Sequence, residues 1–147
     1  MAATVGFNVI ILKFSLDCLK EYLKKNKNNI DGKLILNLCK SVYIDFGRLI
    51  PNDPDVYDNI GTIDDIGSLS KSEKENILNF YETNMRFRRN SIAHTINNIE
   101  SGDDAEDYIS NCLNVVKHLD EIYNILKTLI DKTGVDVDNI GENIHST

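Results

Sequence analysis

Between Tyr108 and Ile130, apolar side chains return at every third or fourth position. The series is Tyr108, Ile109, Cys112, Val115, Val116, Leu119, Ile122, Tyr123, Leu126, Leu129 and Ile130. That period is the signature of a helix with one buried stripe, and no alternating strand pattern competes with it. The segment Ser101-Gly102-Asp103-Asp104 turns and caps its start, and it stops at about Lys132-Thr133-Gly134. A long amphipathic helix cannot hide its stripe alone, so the rest of the chain must supply helices to cover it.

Three earlier segments have the right pattern. The first runs from about Thr4 to Asn28, with Phe7, Ile10, Ile11, Phe14, Cys18, Tyr22 and Leu23 as its apolar stripe and Lys24, Lys25 and Lys27 at its end, where cations suit the helix dipole. Asp31 caps a second helix that reaches about Leu49, with Leu34, Ile35, Leu38, Val42, Phe46 and Leu49 facing the core. Pro51 and Pro54 stop it. Ser70 and Glu73 form a capping box that opens a third helix. It continues through Ile77, Leu78, Tyr81 and Met85 to about Ile96. The fold class expected is all-α: an antiparallel four-helix bundle over residues 1–133, followed by a polar tail, 134–147.

The formal net charge is −7 over 147 residues. A general nucleic-acid coat or a polybasic membrane binder would be basic, so any RNA role must rest on a local patch. Cys18, Cys39 and Cys112 are scattered in apolar contexts, which fits reduced, buried thiols and argues against a zinc site. No run approaches the roughly 20 apolar residues of a membrane span, and no secretory leader is recognisable. The expectation is a cytoplasmic protein without cofactor or metal. Residues 51–70 carry Asp53, Asp55, Asp58, Asp64 and Asp65 but lack the ligand order of a calcium loop, and read as a solvated linker.

One segment carries chemistry. From Asn84 to Asn98 there is no acidic residue, while Arg86, Arg88 and Arg89 give this window a charge of +3. On an ideal helix Tyr81, Met85, Ile92, Ile96 and Ile99 set the core direction within an arc of about 60°. Arg86, Asn90 and His94 then form a second stripe on roughly the opposite side. Phe80 and Phe87 lie toward His94 as well, and this second apolar face is a candidate dimer interface. Arg89 lies between the two faces, so it meets His94 at one phosphate only if the helix loosens after Asn90 or two subunits share the site.

These residue types suit cleavage of an RNA phosphodiester, whose 2′-hydroxyl is a built-in nucleophile. Histidine titrates near neutrality and can take or give the proton. Arginine can hold the phosphate oxygens and the charge of the transition state. Asn90 can bond the phosphate or orient His94. Arg86 and Arg88, with Thr95 after the histidine, are candidate substrate contacts. An arginine-rich turn with one histidine is also an ordinary surface feature.

The string Arg89-Asn90-Ser91-Ile92-Ala93-His94 resembles the signature of the HEPN superfamily: an arginine, four to six residues, then a histidine, commonly with a polar residue directly after the arginine. HEPN domains are all-α bundles, and the position late in the third of four helices is similar. The resemblance implies a metal-independent ribonuclease whose catalytic set is Arg89 and His94, with Asn90 auxiliary. It implies a homodimer in which two motifs line one cleft, a role as a toxin or in phage defence, and in some members a nucleotidyltransferase-type antitoxin as partner. Other members are inactive and serve as binding or assembly modules. Thr95 stands where glycine often follows the histidine.

Overall fold

A computed structural model of the chain describes residues 2–51, 60–86, 109–110 and 113–137. Among these residues every regular element is helical. The elements are α1 (Ala2–Lys25), α2 (Gly32–Gly47), a 3-10 turn (Ile63–Asp65), α3 (Lys71–Asn84) and α4 (Leu119–Thr133).

Local chemistry sets most of the helix ends. Asp31 has an extended backbone, and its carboxylate accepts from the amides of Lys33 at 2.9 Å and Leu34 at 3.2 Å. Two amides that a helix start leaves without partners are thereby satisfied. The Ser70 hydroxyl accepts from Glu73 N at 3.1 Å, while the Glu73 carboxylate accepts from Ser70 N at 2.9 Å. This is the reciprocal box expected from the sequence, and its hydrogen bonds hold the Glu73 carboxyl below its ordinary pKa. Gly134 ends α4 in the left-handed region, at φ 67°.

The buried face of α1 is Val5, Val9, Leu12, Leu16 and Leu19, each at most 1% exposed. This corrects the expected stripe. Phe7, Phe14 and Cys18 are exposed, and Ile10, Ile11, Tyr22 and Leu23 are half-buried. Both sets repeat at threes and fours, and the branched aliphatic set packs inward because α2 and α4 lie on its flanks. The Ser15 hydroxyl donates to the Asp45 carboxylate of α2. On the other flank, the Tyr123 hydroxyl of α4 donates to Asp17 at 2.9 Å, and Lys20 lies 5.0 Å from the centre of the Tyr123 ring. Burial and the Asp17 carboxylate push the Tyr123 phenol well above its ordinary pKa.

α2 contributes Ile35, Cys39, Val42, Tyr43 and Phe46 to the core, continued by Leu49 and Ile50. Leu34, expected inside, is 44% exposed. Of the three cysteines, Cys39 is buried as expected, Cys18 is exposed, and Cys112 lies outside the described residues. From α3, Tyr81 stacks on Phe46 with ring centres 5.6 Å apart, and Phe80 reaches the same ring at 6.2 Å. α4 adds Ile122, Leu126 and Leu129. The described part of the 51–70 linker is not simply solvated: Thr62, Ile63 and Ile66 are buried, and Ile63 N donates to Leu49 O at 2.8 Å. Val135, in the expected tail, packs against the core, with Gly6 opposite it.

Two expected helices are interrupted where their patterns run on. The third breaks after Asn84, at Met85 with φ −120°; Arg86 is helical again, and the expected course from 87 to 96 lies outside the described residues. The fourth is interrupted at His118, at φ −103° and ψ 16°, with residues 113–117 helical before it. Ile109, placed in its buried stripe, is 44% exposed. Among the described residues no helix is long and apolar enough to cross a membrane.

Candidate functional site

The C-terminal end of α3 is where the structure meets the arginine-rich segment. Its last carbonyl, Asn84 O, accepts from the side-chain amide of Asn114 at 3.0 Å, and the same amide reaches the Tyr43 hydroxyl at 3.3 Å. Asn114 is buried, so a single carboxamide ties α3, α2 and the 113–117 helical stretch together. Asn84 turns its own amide back to Phe80 O at 3.2 Å. With those groups satisfied, the regular helix breaks at Met85, which is buried in the core and takes a non-helical conformation, and Arg86 is helical again.

Arg86 follows directly. Its guanidinium pairs with Glu82 at 2.6 Å and lies 5.5 Å from the centre of the Tyr81 ring. The side chain is 26% exposed, while its Nε is buried without a hydrogen-bond partner among the described residues. A guanidinium held from one side by a carboxylate and an aromatic face is a positioned cation with donor capacity left over.

Phe80 is half-buried. One side of its ring meets Phe46, and His118 meets it edge-on at 5.9 Å. The His118 Nδ1 lies 3.0 Å from the Glu121 carboxylate. The sequence offered no hint of this cluster, because nothing local links residues 80 and 118.

The break at Met85 changes one inference. An ideal helix projection cannot be carried from Phe80 across Met85, so the placement of Phe80 and His94 on a shared face does not follow from spacing. Of the site residues expected from sequence, Arg86 and Phe80 are located as above. Phe87, Arg88, Arg89, Asn90, His94 and Thr95 lie outside the described residues. Among the described residues, no three His, Cys, Asp or Glu side chains converge as a cation-binding group.

The chain matches no family model, and no curated protein or solved structure is significantly similar to it.

Proposed function

We propose that the chain is an antiparallel four-helix bundle of HEPN type and acts as a metal-independent endoribonuclease. The observation that carries this reading is the set Arg89-Asn90-x3-His94 within a window of charge +3 in a chain of net charge −7. Its supports are the all-helical fold of the described residues and the position of Arg86 directly after α3, its guanidinium held by Glu82 and the Tyr81 ring.

In this mechanism His94 takes the proton of the RNA 2′-hydroxyl, and the oxygen attacks the adjacent phosphorus. Arg89 holds the non-bridging oxygens as their charge grows, and Asn90 fixes the phosphate or the imidazole. The bond to the 5′-oxygen breaks, and that oxygen leaves as a hydroxyl after taking up a proton. The products are a 2′,3′-cyclic phosphate and a 5′-hydroxyl. Arg89 and His94 meet on one phosphate within a chain or across the two-fold axis of a homodimer.

The test is RNA cleavage by purified protein in EDTA, with end mapping. Cyclic phosphate ends that vanish with His94→Ala, at unchanged helicity, support the reading. Cleavage that requires an added divalent cation sinks it.

The net charge of −7 favours a second reading, an inactive binding or assembly module, because phosphate contacts dominate RNA affinity. In that case the wild-type protein leaves RNA intact and forms a stable complex with a partner chain, such as a nucleotidyltransferase-type antitoxin. Toxicity on expression that His94→Ala relieves separates the two.

A further inference from the structure

We infer that the lysine-rich turn from α1 into α2 is a second phosphate-contact surface for single-stranded RNA, at the same end of the fold as Arg86. The identity of the polyanion rests on the ribonuclease reading; the surface itself is read from the fold.

Helix directions bring the two cationic regions to one end. α1 and α2 are antiparallel: the Asp31 amide donates to the Tyr22 hydroxyl at 2.5 Å, while Ser15 meets Asp45 further along. α1 and α4 are antiparallel as well, since Asp17 meets Tyr123 and Gly6 faces Val135. α3 runs against α4, with Glu73 beside Lys132 and Phe80 beside His118. The C-terminal ends of α1 and α3 therefore share an end with the starts of α2 and α4. Nothing in the sequence joins Lys24 to Arg86; the topology does.

At that end the carboxylates are already engaged and the lysines are not. Glu21 pairs with Lys25 at 3.0 Å, and Glu82 with Arg86 at 2.6 Å. Asp31 accepts from two amides, and Glu121 lies 3.0 Å from His118. Asp17 is taken by Lys13 and the Tyr123 hydroxyl. Asp120 alone of the described acids there stands exposed without a partner. Lys20, Lys24, Lys27, Lys33 and Lys117 are exposed, and among the described residues none of them pairs with a carboxylate. Lys20 and Lys24 are one turn apart, about 6 Å along the axis, and Lys20 is steadied over the Tyr123 ring at 5.0 Å. At the opposite end the pattern reverses. Lys74 and Lys132 are engaged by Asp64 and Glu73, while Glu75 and Asp131 stand exposed.

The net charge of −7 does not cancel this surplus. Exposed charges further off than about 8–10 Å are largely screened at physiological salt, so a phosphate at the turn meets the lysines beside it. Ammonium groups on flexible stems are point charges that hold phosphate without reading bases. A lipid surface fits less well. On the helical projection Lys20 and Lys24 lie about 135° from the outward apolar residues Phe7, Ile11, Phe14 and Cys18, so a membrane meeting those residues would leave these lysines turned away.

The test is binding of a labelled 20-nucleotide uridine RNA by the full chain across a salt series, in the His94→Ala background so that the RNA stays whole. Lys24→Gln with Lys27→Gln should lower the log–log salt slope by about 1.4, two contacts at about 0.7 each, and weaken binding roughly 25-fold at 0.1 M salt. Lys20→Gln with Lys33→Gln is the second pair should the first fail to fold by circular dichroism. Lys71→Gln with Lys127→Gln removes the same charge elsewhere and should leave the slope unchanged. An unchanged slope in both lysine-turn pairs overturns the inference, as does an equal fall in the Lys71 and Lys127 pair, or no RNA binding at all. Lysine-turn-dependent binding to phosphatidylserine vesicles without binding to RNA overturns it too. Cleavage in EDTA by the chain with His94 intact is scored separately. A cleaving protein with an unchanged slope loses only this surface, and an inert one with the expected slope loses only the ribonuclease reading.

Discussion

The Asn114 side-chain amide donates to Asn84 O at 3.0 Å, across thirty positions of sequence. It satisfies the carbonyl at which α3 ends, two positions before Arg86, and it is held there by Tyr43. Replacing a buried donor leaves both partners without it, at a cost of about 1–3 kcal/mol. Asn114→Ala should therefore lower stability by that amount in urea denaturation. Asn114→Asp, which cannot donate and buries a charge, should be worse. A neutral Asn114→Ala would mean that this carboxamide is not what fixes the end of α3.

Gly61 has φ 75°, and a Cβ added there would lie 2.7 Å from Asn8 Nδ2 and 2.8 Å from Thr4 Cγ2. The Asn8 amide is the group that bonds Gly61 O. A left-handed residue with a side chain costs about 1–2 kcal/mol, and displacing that hydrogen bond costs about 1 kcal/mol more. Gly61→Ala should thus destabilise by about 2–3 kcal/mol. Gly67→Ala, where nothing lies within 4 Å, should change stability by less than about 0.5 kcal/mol. Equal effects at the two positions in chemical denaturation would count against the close approach of the linker to α1.

Asp45 is buried at the α1–α2 contact, and burial raises its carboxyl above the ordinary value of 3.8, against the opposing effects of the Ser15 hydroxyl and Arg48. A carboxyl with a raised folded pKa is better tolerated neutral. Its ionised form therefore opposes folding at neutral pH, and that opposition fades as pH falls through the folded pKa toward 3.8. Asp45→Asn keeps an oxygen for the Ser15 hydroxyl and removes the charge. Its melting temperature should exceed that of the wild type at pH 7, with the difference shrinking at pH 4. A gap that widens on acidification would reverse the sign of this argument.

The helix starts were legible in the sequence because capping is local: Asp31 and Ser70 act on amides two and three positions away. The glycine stop at Gly134 was legible for the same reason. The inward face of α1 was not. Phe7, Ile11, Phe14 and Cys18 share their spacing with the stripe Val5, Val9, Leu12, Leu16 and Leu19, and periodicity cannot tell which of two stripes meets the core. Aromatic size pointed to the wrong one. What decides it is long-range, since Ser15 meets Asp45 on one flank and Asp17 meets Tyr123 on the other. The end of α3 was hidden likewise, because its carbonyl partner is Asn114. Arg86 stood out by charge alone, but its clamp between Glu82 and Tyr81 is visible only in three dimensions.

Arg86 offers a way to separate substrate binding from chemistry in the proposed site. Its guanidinium is already paired with Glu82 and lies against Tyr81, so it is a fixed cation rather than a mobile one, suited to holding an RNA phosphate. Arg86→Ala should raise KM about tenfold, the scale of one lost charge-assisted contact, and leave kcat within about twofold. In the inactive His94→Ala background it should lower the salt dependence of single-stranded RNA binding by about 0.7 in log–log slope, the share of one phosphate contact. Arg89→Ala should instead reduce kcat by about a hundredfold or more, because its contact strengthens only as the phosphate gains charge. Glu82→Gln frees the Arg86 charge and should strengthen RNA binding while sparing the helix, since Glu82 is exposed. If Arg86→Ala depresses kcat as Arg89→Ala does, Arg86 belongs with the reacting phosphate and the division of roles proposed here is wrong.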